Sequence, residues 1–203
     1  MDFKEGFNNK TYTGMELTEF LLDLENYKSP YAPAVGDTSE IIIPLIRKYS
    51  LQSSALSSTL GVIPGVSGLV TVIPEIILLL KLQSRMIKDI AILHGKENLL
   101  TKELLLYCLF KDSEIEVFQT SIRMTVSRIF IRPISLSLLH TFFIRVIQLK
   151  SNHFKRKKSS FLISFISGLS NGVLSFIDTQ MVGTTANLIF LSEIQLEPSK
   201  INE

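Results

Sequence analysis

The stretch that decides the fold is LGVIPGVSGLVTVIPEIILLL, residues 60–80, in which Glu75 is the single charge. A segment of this length and hydrophobicity can cross a bilayer, since a transmembrane helix needs about 20 mostly apolar residues. The same composition is also typical of a helical hairpin buried in a globular core, or of a hairpin that moves between core and membrane. The sequence leaves these three alternatives open.

Prolines and glycines interrupt this stretch. Pro64 and Gly65 form a turn signal, and a proline inside a helix costs about 3 kcal/mol. We therefore predict a turn over residues 63–68 and a second helix that begins near Pro74, where Glu75 would suit the positive end of the helix dipole. The stop of this helix is predicted at a histidine and a glycine, residues 94–95.

A second apolar stretch spans residues 161–191, and Asp178 is its only charge. Because a lone buried carboxylate is costly unless it is neutralised or paired, Glu75 and Asp178 are candidates for a functional site. The alternatives are helix capping for Glu75, and capping, pairing with a buried arginine or exposure to water for Asp178. Small residues allow close helix contact, and the predicted helix-packing glycines are Gly61, Gly65, Gly68, Gly168 and Gly172.

Several small-residue motifs in the two stretches carry a resemblance to a known family. They are the turn at Pro64 and Gly65, the helix start at Pro74 and Glu75, then Leu79, Gln83, Met86, Ile87, Ile90, Ala91 and Gly95, and later Gly168, Asn171, Gly172, Ala186 and Phe190. On these residues the chain resembles the EcsC family over roughly residues 41–191. This family of bacterial proteins is named for a component encoded beside an ABC transporter. His94 stands where the family has tyrosine, and the proline that usually precedes the second motif is missing.

The composition limits the classes of protein to which the chain can belong. The 203 residues are predicted to form one domain, and a net charge of +2 is too small to indicate a nucleic-acid partner. The mean hydropathy of +0.30 is typical of a chain rich in buried helix. Cys108 is the single cysteine, so no disulfide framework is expected, and no signal peptide is visible. We therefore expect a cytoplasmic protein.

The sole basic cluster precedes the second apolar stretch. Residues 150–158 read KSNHFKRKK, and the charged side chains are Lys150, Lys155, Arg156, Lys157 and Lys158. Basic residues beside an apolar segment are attracted to an anionic membrane surface, by about 1 kcal/mol each. These five residues are the membrane-binding candidates. The alternative is an ordinary basic loop in water.

No motif for catalysis, metal binding or cofactor binding is present in the sequence. The three histidines share no metal-ligand spacing, and no nucleophile motif or phosphate-binding loop occurs. Arg85 and Asp89 lie four residues apart and are expected to form an ordinary surface ion pair. We therefore predict a protein without catalytic residues, metal or cofactor.

The predicted fold is an all-α, single-domain helical bundle with two Gly/Pro-broken hydrophobic helical segments at its core. The domain boundaries are an N-terminal arm, docking helix and linker over residues 1–37, a helical domain over residues 38–192, and a polar tail over residues 193–203. Further helices are predicted at residues 14–27, 98–110, 117–132 and 134–150. Another is predicted to end near residue 60 and to begin either at a cap formed by Thr38 or Ser39 or nearer Pro44.

The expected function is that of a non-enzymatic, EcsC-like accessory or partner-binding protein at the inner face of the cell membrane. Its partners would be anionic lipid, a membrane protein or both, and a homo-oligomer is possible because of the glycine spacing. The link to an ABC transporter is implied by the resemblance alone. Two alternatives stay open, namely an integral membrane protein with two or more spans and a soluble enzyme that uses Glu75 or Asp178.

Overall fold

The computed structural model describes residues 24–61, 67–111, 122–124, 128–131 and 161–196. Its elements are α1 (Ser39–Gly61), α2 (Ser67–Leu93), a 3-10 helix (Glu97–Leu99), α3 (Lys102–Phe110), β1 (Ile122–Met124), β2 (Arg128–Ile131), α4 (Phe161–Leu191) and β3 (Glu193–Leu196). The described chain is predominantly helical, which confirms the all-α prediction.

Three long helices build the core. The most extensive helix–helix contact is between α1 and α4, and α2 packs against both. The side chains of Ile42, Met86, Ile90 and Phe190 are fully buried at this junction. Since each of these helices contributes apolar side chains at spacings of three and four residues, their buried faces meet in one hydrophobic cluster.

Two glycines set the distance between α1 and α4. A Cβ atom at Gly183 would lie 2.8 Å from Ile46 Cγ1, and one at Gly172 would lie 3.0 Å from the Ser54 carbonyl oxygen and against the Ser58 hydroxyl. Because Gly172 faces the end of α1 and Gly183 faces its beginning, the two helices run antiparallel. The close approach predicted for Gly172 is therefore present.

The helices are less broken than the sequence predicts. The segment Phe161–Leu191 is a single helix that passes through both of its G-x-x-x-G glycines. Pro44 lies inside α1, and α2 begins at Ser67, seven residues before Pro74. Pro44 is on the exposed side of α1, where water can bind the carbonyl group that loses its amide partner.

The end of α2 follows its prediction. Gly95 has a φ of 66°, in the left-handed region that glycine adopts without strain. The amide of Lys96 donates to the Ala91 carbonyl at 2.8 Å, and the amide of Gly95 donates to that of Ile92 at 2.8 Å. These bonds close the last turn of the helix, as expected for a glycine at this position.

A small three-stranded sheet was not predicted. β1 pairs antiparallel with β2, and β2 pairs parallel with β3. The helix predicted at residues 117–132 is wrong where β1 and β2 lie, because the backbone there pairs across strands: Ile122 is in register with Ile131, and Ile129 with Ile194. The first residues of the predicted polar tail, Glu193–Leu196, form β3.

Of the remaining predictions, residues 24–26 are helical, as expected for the end of the docking helix, and α3 agrees with the helix predicted at residues 98–110. The side chain of Thr101 accepts a hydrogen bond from the Leu104 amide and caps α3. The helix predicted at residues 134–150 lies outside the described residues.

Candidate functional site

One side of α4, which we call the outer face, is an unusual surface among the described residues. Its large apolar side chains are 45–64% exposed and comprise Val173, Leu174, Ile177, Met181, Leu188 and Leu191. Val173 and Leu174 are adjacent and the others follow at spacings of three, four or seven residues, so all six lie on one side of the helix over a length of about 27 Å. The only charge between residues 173 and 191 is Asp178.

The opposite side of α4 explains why these residues face outward. Gly172, Thr179, Gly183 and Ala186 are buried against the other helices. Small residues are needed there because α1 approaches closely, so most of the large aliphatic side chains between residues 173 and 181 are left for the exposed side. A surface helix normally exposes charged and polar residues instead. An exposed apolar surface of this extent is typical of an interaction site.

A network of hydroxyl and amide groups joins α4 to α1 and α2. The amide nitrogen of Gln83 donates to the Asp178 carboxylate at 3.0 Å and to the Thr179 hydroxyl at 3.1 Å. The Thr179 hydroxyl donates to that of Ser53 at 2.9 Å, and the hydroxyls of Ser57 and Ser175 lie 2.7 Å apart. This network joins the three helices through side-chain hydrogen bonds.

The two predicted carboxylate sites differ from expectation. Asp178 is exposed and accepts a hydrogen bond from Gln83, so it is not a buried carboxylate. Glu75 is half-buried and lies in the third turn of α2, so it does not cap the start of that helix. Its position follows from the start of α2 at Ser67 rather than near Pro74.

Among the described residues, the fully buried carboxylate is that of Asp89, which the sequence interpretation placed in a surface ion pair. Its side chain is 0% exposed. The Tyr49 hydroxyl donates to Asp89 Oδ2 at 2.7 Å, and the Tyr27 hydroxyl lies 3.1 Å from both carboxylate oxygens. The signal for burial was weak: Asp89 follows the buried Met86 by three residues, on the side of α2 that apolar spacing turns inward.

Burial changes the acidity of both tyrosines. It raises the pKa of the Tyr49 phenol well above its ordinary value of 10.0, and the hydrogen bonds with Tyr27 and Asp89 raise this pKa further. Burial also raises the pKa of Tyr27. Both phenols therefore stay protonated, and act as donors to Asp89, at neutral pH.

In the described part of the chain, the remaining groups with ligand or nucleophile chemistry include the acidic side chains, His94 and Cys108. Among the described residues, no three His, Cys, Asp or Glu side chains lie close enough together to hold a metal ion. The His94 ring nitrogen Nε2 lies 2.9 Å from the Asn187 side-chain oxygen. Cys108 is buried, and this burial raises the pKa of its thiol, so it is a packed thiol rather than a nucleophile.

The other predicted site residues are placed as follows. Gly61 ends α1, Gly68 is in the first turn of α2, and Gly168 lies within α4. Gly183 makes a close contact that the predicted glycine set did not include. Gly65 lies outside the described residues, as does the basic cluster of Lys150, Lys155, Arg156, Lys157 and Lys158.

The fold and the outer face define an all-helical protein whose last helix presents a long apolar surface. No family model, curated protein or solved structure matches the chain. The resemblance to the EcsC family therefore stays a prediction. Within the part of the chain that the structure describes, no helix has both the length and the apolar character needed to cross a membrane.

Proposed function

We propose that this chain is a non-enzymatic protein that binds the inner surface of the cell membrane through the outer face of α4. The observation that carries the proposal is the exposed row of six large apolar side chains from Val173 to Leu191, with Asp178 as the only charge in that span. A helix with such a face binds in the plane of a membrane surface and buries its apolar side at the boundary between headgroups and acyl chains.

The basic cluster favours anionic lipid as the partner. It carries five positive charges and no acidic residue between positions 150 and 158, and α4 begins at Phe161. The cluster therefore lies within a few residues of the helix that carries the outer face. Each basic residue near an anionic surface contributes about 1 kcal/mol of attraction, and this attraction is screened by salt. Electrostatic attraction would bring the protein to the surface, and insertion of the outer face would hold it there.

The proposed role is that of an accessory or partner-binding protein at this surface. A membrane-protein partner, such as an ABC transporter, is supported by the EcsC resemblance alone. The cytoplasmic location is supported by the basic cluster, because the anionic leaflet of the cell membrane faces the cytoplasm.

Binding to vesicles tests the proposal. We expect the wild-type protein to co-sediment with vesicles that contain phosphatidylglycerol, and to bind less to purely zwitterionic vesicles or at high salt. Replacing Leu174, Ile177 and Met181 together by glutamine should weaken this binding by about a thousandfold or more, because insertion loses about 1.5–3 kcal/mol for each of the three apolar side chains that no longer enters the membrane. Replacing Lys155, Arg156, Lys157 and Lys158 by glutamine should remove the salt dependence.

The matched control changes three exposed apolar residues of another helix. Glutamine at Ile41, Ile43 and Leu51 of α1 removes similar apolar area and should leave vesicle binding unchanged. If the α4 variant binds vesicles as tightly as wild type, the outer face is not the membrane contact. If that variant instead loses only self-association in sedimentation, the outer face binds a second copy and the proposal is wrong.

Fractionation of the tagged protein from bacteria tests the mode of association. We expect recovery in the membrane fraction and release by alkaline carbonate. Recovery only after detergent extraction would favour the alternative of an integral protein.

A further inference from the structure

A segment at the start of the described chain is held against α2 by its backbone. We call residues 24–34 the strap. The ammonium group of Lys88 donates to the carbonyl oxygens of Tyr27 at 2.9 Å and Leu24 at 3.3 Å, and the amide of Ala34 donates to the Leu93 carbonyl at 3.0 Å. These three bonds involve only backbone groups of the strap, so they do not depend on its sequence.

One side chain of the strap enters a polar pocket. The Tyr27 hydroxyl lies 3.1 Å from each oxygen of the buried Asp89 carboxylate, and 3.3 Å from the Tyr49 hydroxyl. The Tyr27 ring lies under the Arg85 guanidinium group, with 5.3 Å between Arg85 Cζ and the ring centroid. The pocket therefore offers a cation to the ring and an acceptor to the hydroxyl, which together select a phenol.

Backbone hydrogen bonds combined with a pocket for one side chain are typical of a peptide-binding site. In such sites, hydrogen bonds to the backbone supply affinity, and pockets for particular side chains supply specificity. Arg85, Lys88 and Asp89 lie on one side of α2, since they are three and four residues apart. We propose that these three residues, with Tyr49 of α1, form a recognition site for a tyrosine-bearing peptide segment, which the chain's own strap occupies.

The chemistry of Asp89 makes the site selective for tyrosine over phenylalanine. Asp89 is fully buried, so a phenylalanine ring would leave the carboxylate with one hydrogen-bond donor fewer and no ready access to water. A partner that carries a tyrosine in a similar segment would compete with the strap. The proposal is independent of membrane binding by α4, because none of these residues belongs to that helix.

A small phenol tests the pocket in the full-length chain. Tyr27→Ala leaves the backbone bonds of the strap possible and vacates the pocket. We expect p-cresol, at about ten times its dissociation constant, to raise the Tm of this variant by about 3–6 °C. Toluene has the same shape without the hydroxyl and should raise it much less. Wild type, in which Tyr27 fills the pocket, should show neither shift, and Asp89→Asn in the variant should reduce the p-cresol shift. Equal shifts with the two compounds, no shift with p-cresol, or the same shift in wild type would overturn the proposal.

A second measurement uses the wild-type chain and applies if Tyr27→Ala does not fold. The Ala34 amide of the isotope-labelled protein is protected from hydrogen exchange by its bond to the Leu93 carbonyl. We expect an unlabelled peptide with the sequence of residues 24–34 to displace the strap and accelerate exchange at Ala34. The same peptide with phenylalanine at the position of Tyr27 should need about tenfold higher concentration, as expected for loss of a hydrogen bond to a charged group. Equal effects of the two peptides, or no effect of either, would show that the site does not recognise tyrosine.

Discussion

Asp89 is the hydrogen-bond acceptor at the centre of the buried cluster that it forms with Tyr27 and Tyr49. It accepts hydrogen bonds from both Tyr49 and Tyr27, and its own side chain is 0% exposed. Asp89→Ala would leave the hydroxyl of Tyr49 buried without this acceptor and would open a cavity. We therefore expect a loss of about 2–4 kcal/mol in the free energy of unfolding, measured by urea denaturation.

The matched control for this prediction is Asp178→Ala. Asp178 is also an aspartate on a core helix, but it is exposed and accepts one hydrogen bond from Gln83. Its replacement should cost less than about 1 kcal/mol. Equal losses for the two variants would mean that the Asp89 cluster contributes nothing beyond an ordinary surface contact.

Alkaline pH should lower the stability of the folded protein through the phenols of Tyr27 and Tyr49. Their pKa values in the folded state are raised above the ordinary 10.0, so the unfolded chain releases these protons first. The stability that they contribute is fully present below about pH 10 and is lost as the pH rises beyond it. We expect the urea midpoint to fall above pH 10, and to fall less steeply for Tyr49→Phe. Parallel pH profiles of wild type and variant would contradict this assignment.

At the residue scale the sequence identified the wrong carboxylate, for a physical reason. Asp178 looks buried because its neighbours along the chain are apolar, but the helix turns those neighbours, such as Ile177, toward solvent as well. Asp89 looks exposed because Arg85 and Lys88 are near it in sequence. Its partners Tyr27 and Tyr49 lie 62 and 40 residues away in the chain, so no local pattern reveals them.

At the scale of elements, the contact between α1 and α4 is the one most sensitive to side-chain size. A methyl group at Gly183 would lie 2.8–2.9 Å from two carbons of Ile46. Gly183→Ala gains about 1 kcal/mol in helix propensity, but the overpacking costs about 1–3 kcal/mol, so we expect a net loss of stability. The measurement is Tm by circular dichroism.

The neighbouring residue provides the control for this substitution. Thr184 is exposed on α4, where its hydroxyl donates to the Gln180 carbonyl of the same helix at 2.8 Å. Thr184→Ala loses this exposed bond and gains helix propensity, so Tm should rise slightly or stay unchanged. A stabilised Gly183→Ala variant would show that α1 can move away from α4 without cost.

The elements that the sequence predicted correctly are those set by local chemistry. The end of α2 was predictable because helices often end at a residue with a left-handed backbone conformation. Gly95 adopts that conformation without strain. The strand β3 was not predictable, because its partner β2 lies more than 60 residues earlier in the chain. The continuity of α4 was missed because its glycines were interpreted as breaks, whereas Gly172 provides room for α1.

At the scale of the whole molecule, the strap, the helices and the sheet share one hydrophobic cluster. Leu24 and Tyr31 of the strap, Leu105 of α3 and Ile129 of β2 all belong to it or pack against it. We therefore expect a single cooperative unfolding transition. Since the chain has no tryptophan, fluorescence reports its five tyrosines, which include Tyr27, Tyr49 and Tyr107.

The measurement is urea unfolding followed by tyrosine fluorescence and by far-ultraviolet circular dichroism. The two curves should coincide in wild type and also in Ile129→Ala, which should lower the free energy of unfolding by about 2–4 kcal/mol. Separate transitions would show that the strap or the sheet unfolds independently of the helices.

The pairing of α1 with α4 also has a consequence for synthesis on the ribosome. About 100 residues separate the end of α1 at Gly61 from the start of α4 at Phe161. At a translation rate of roughly 5–20 residues per second, about 5–20 s pass between the synthesis of α1 and that of the first turn of α4. Throughout that interval the side of α1 that will receive α4 is open to other nascent chains and to chaperones. We therefore expect the yield of folded protein to depend on translation speed and chaperone supply, and not only on the stability of the folded protein.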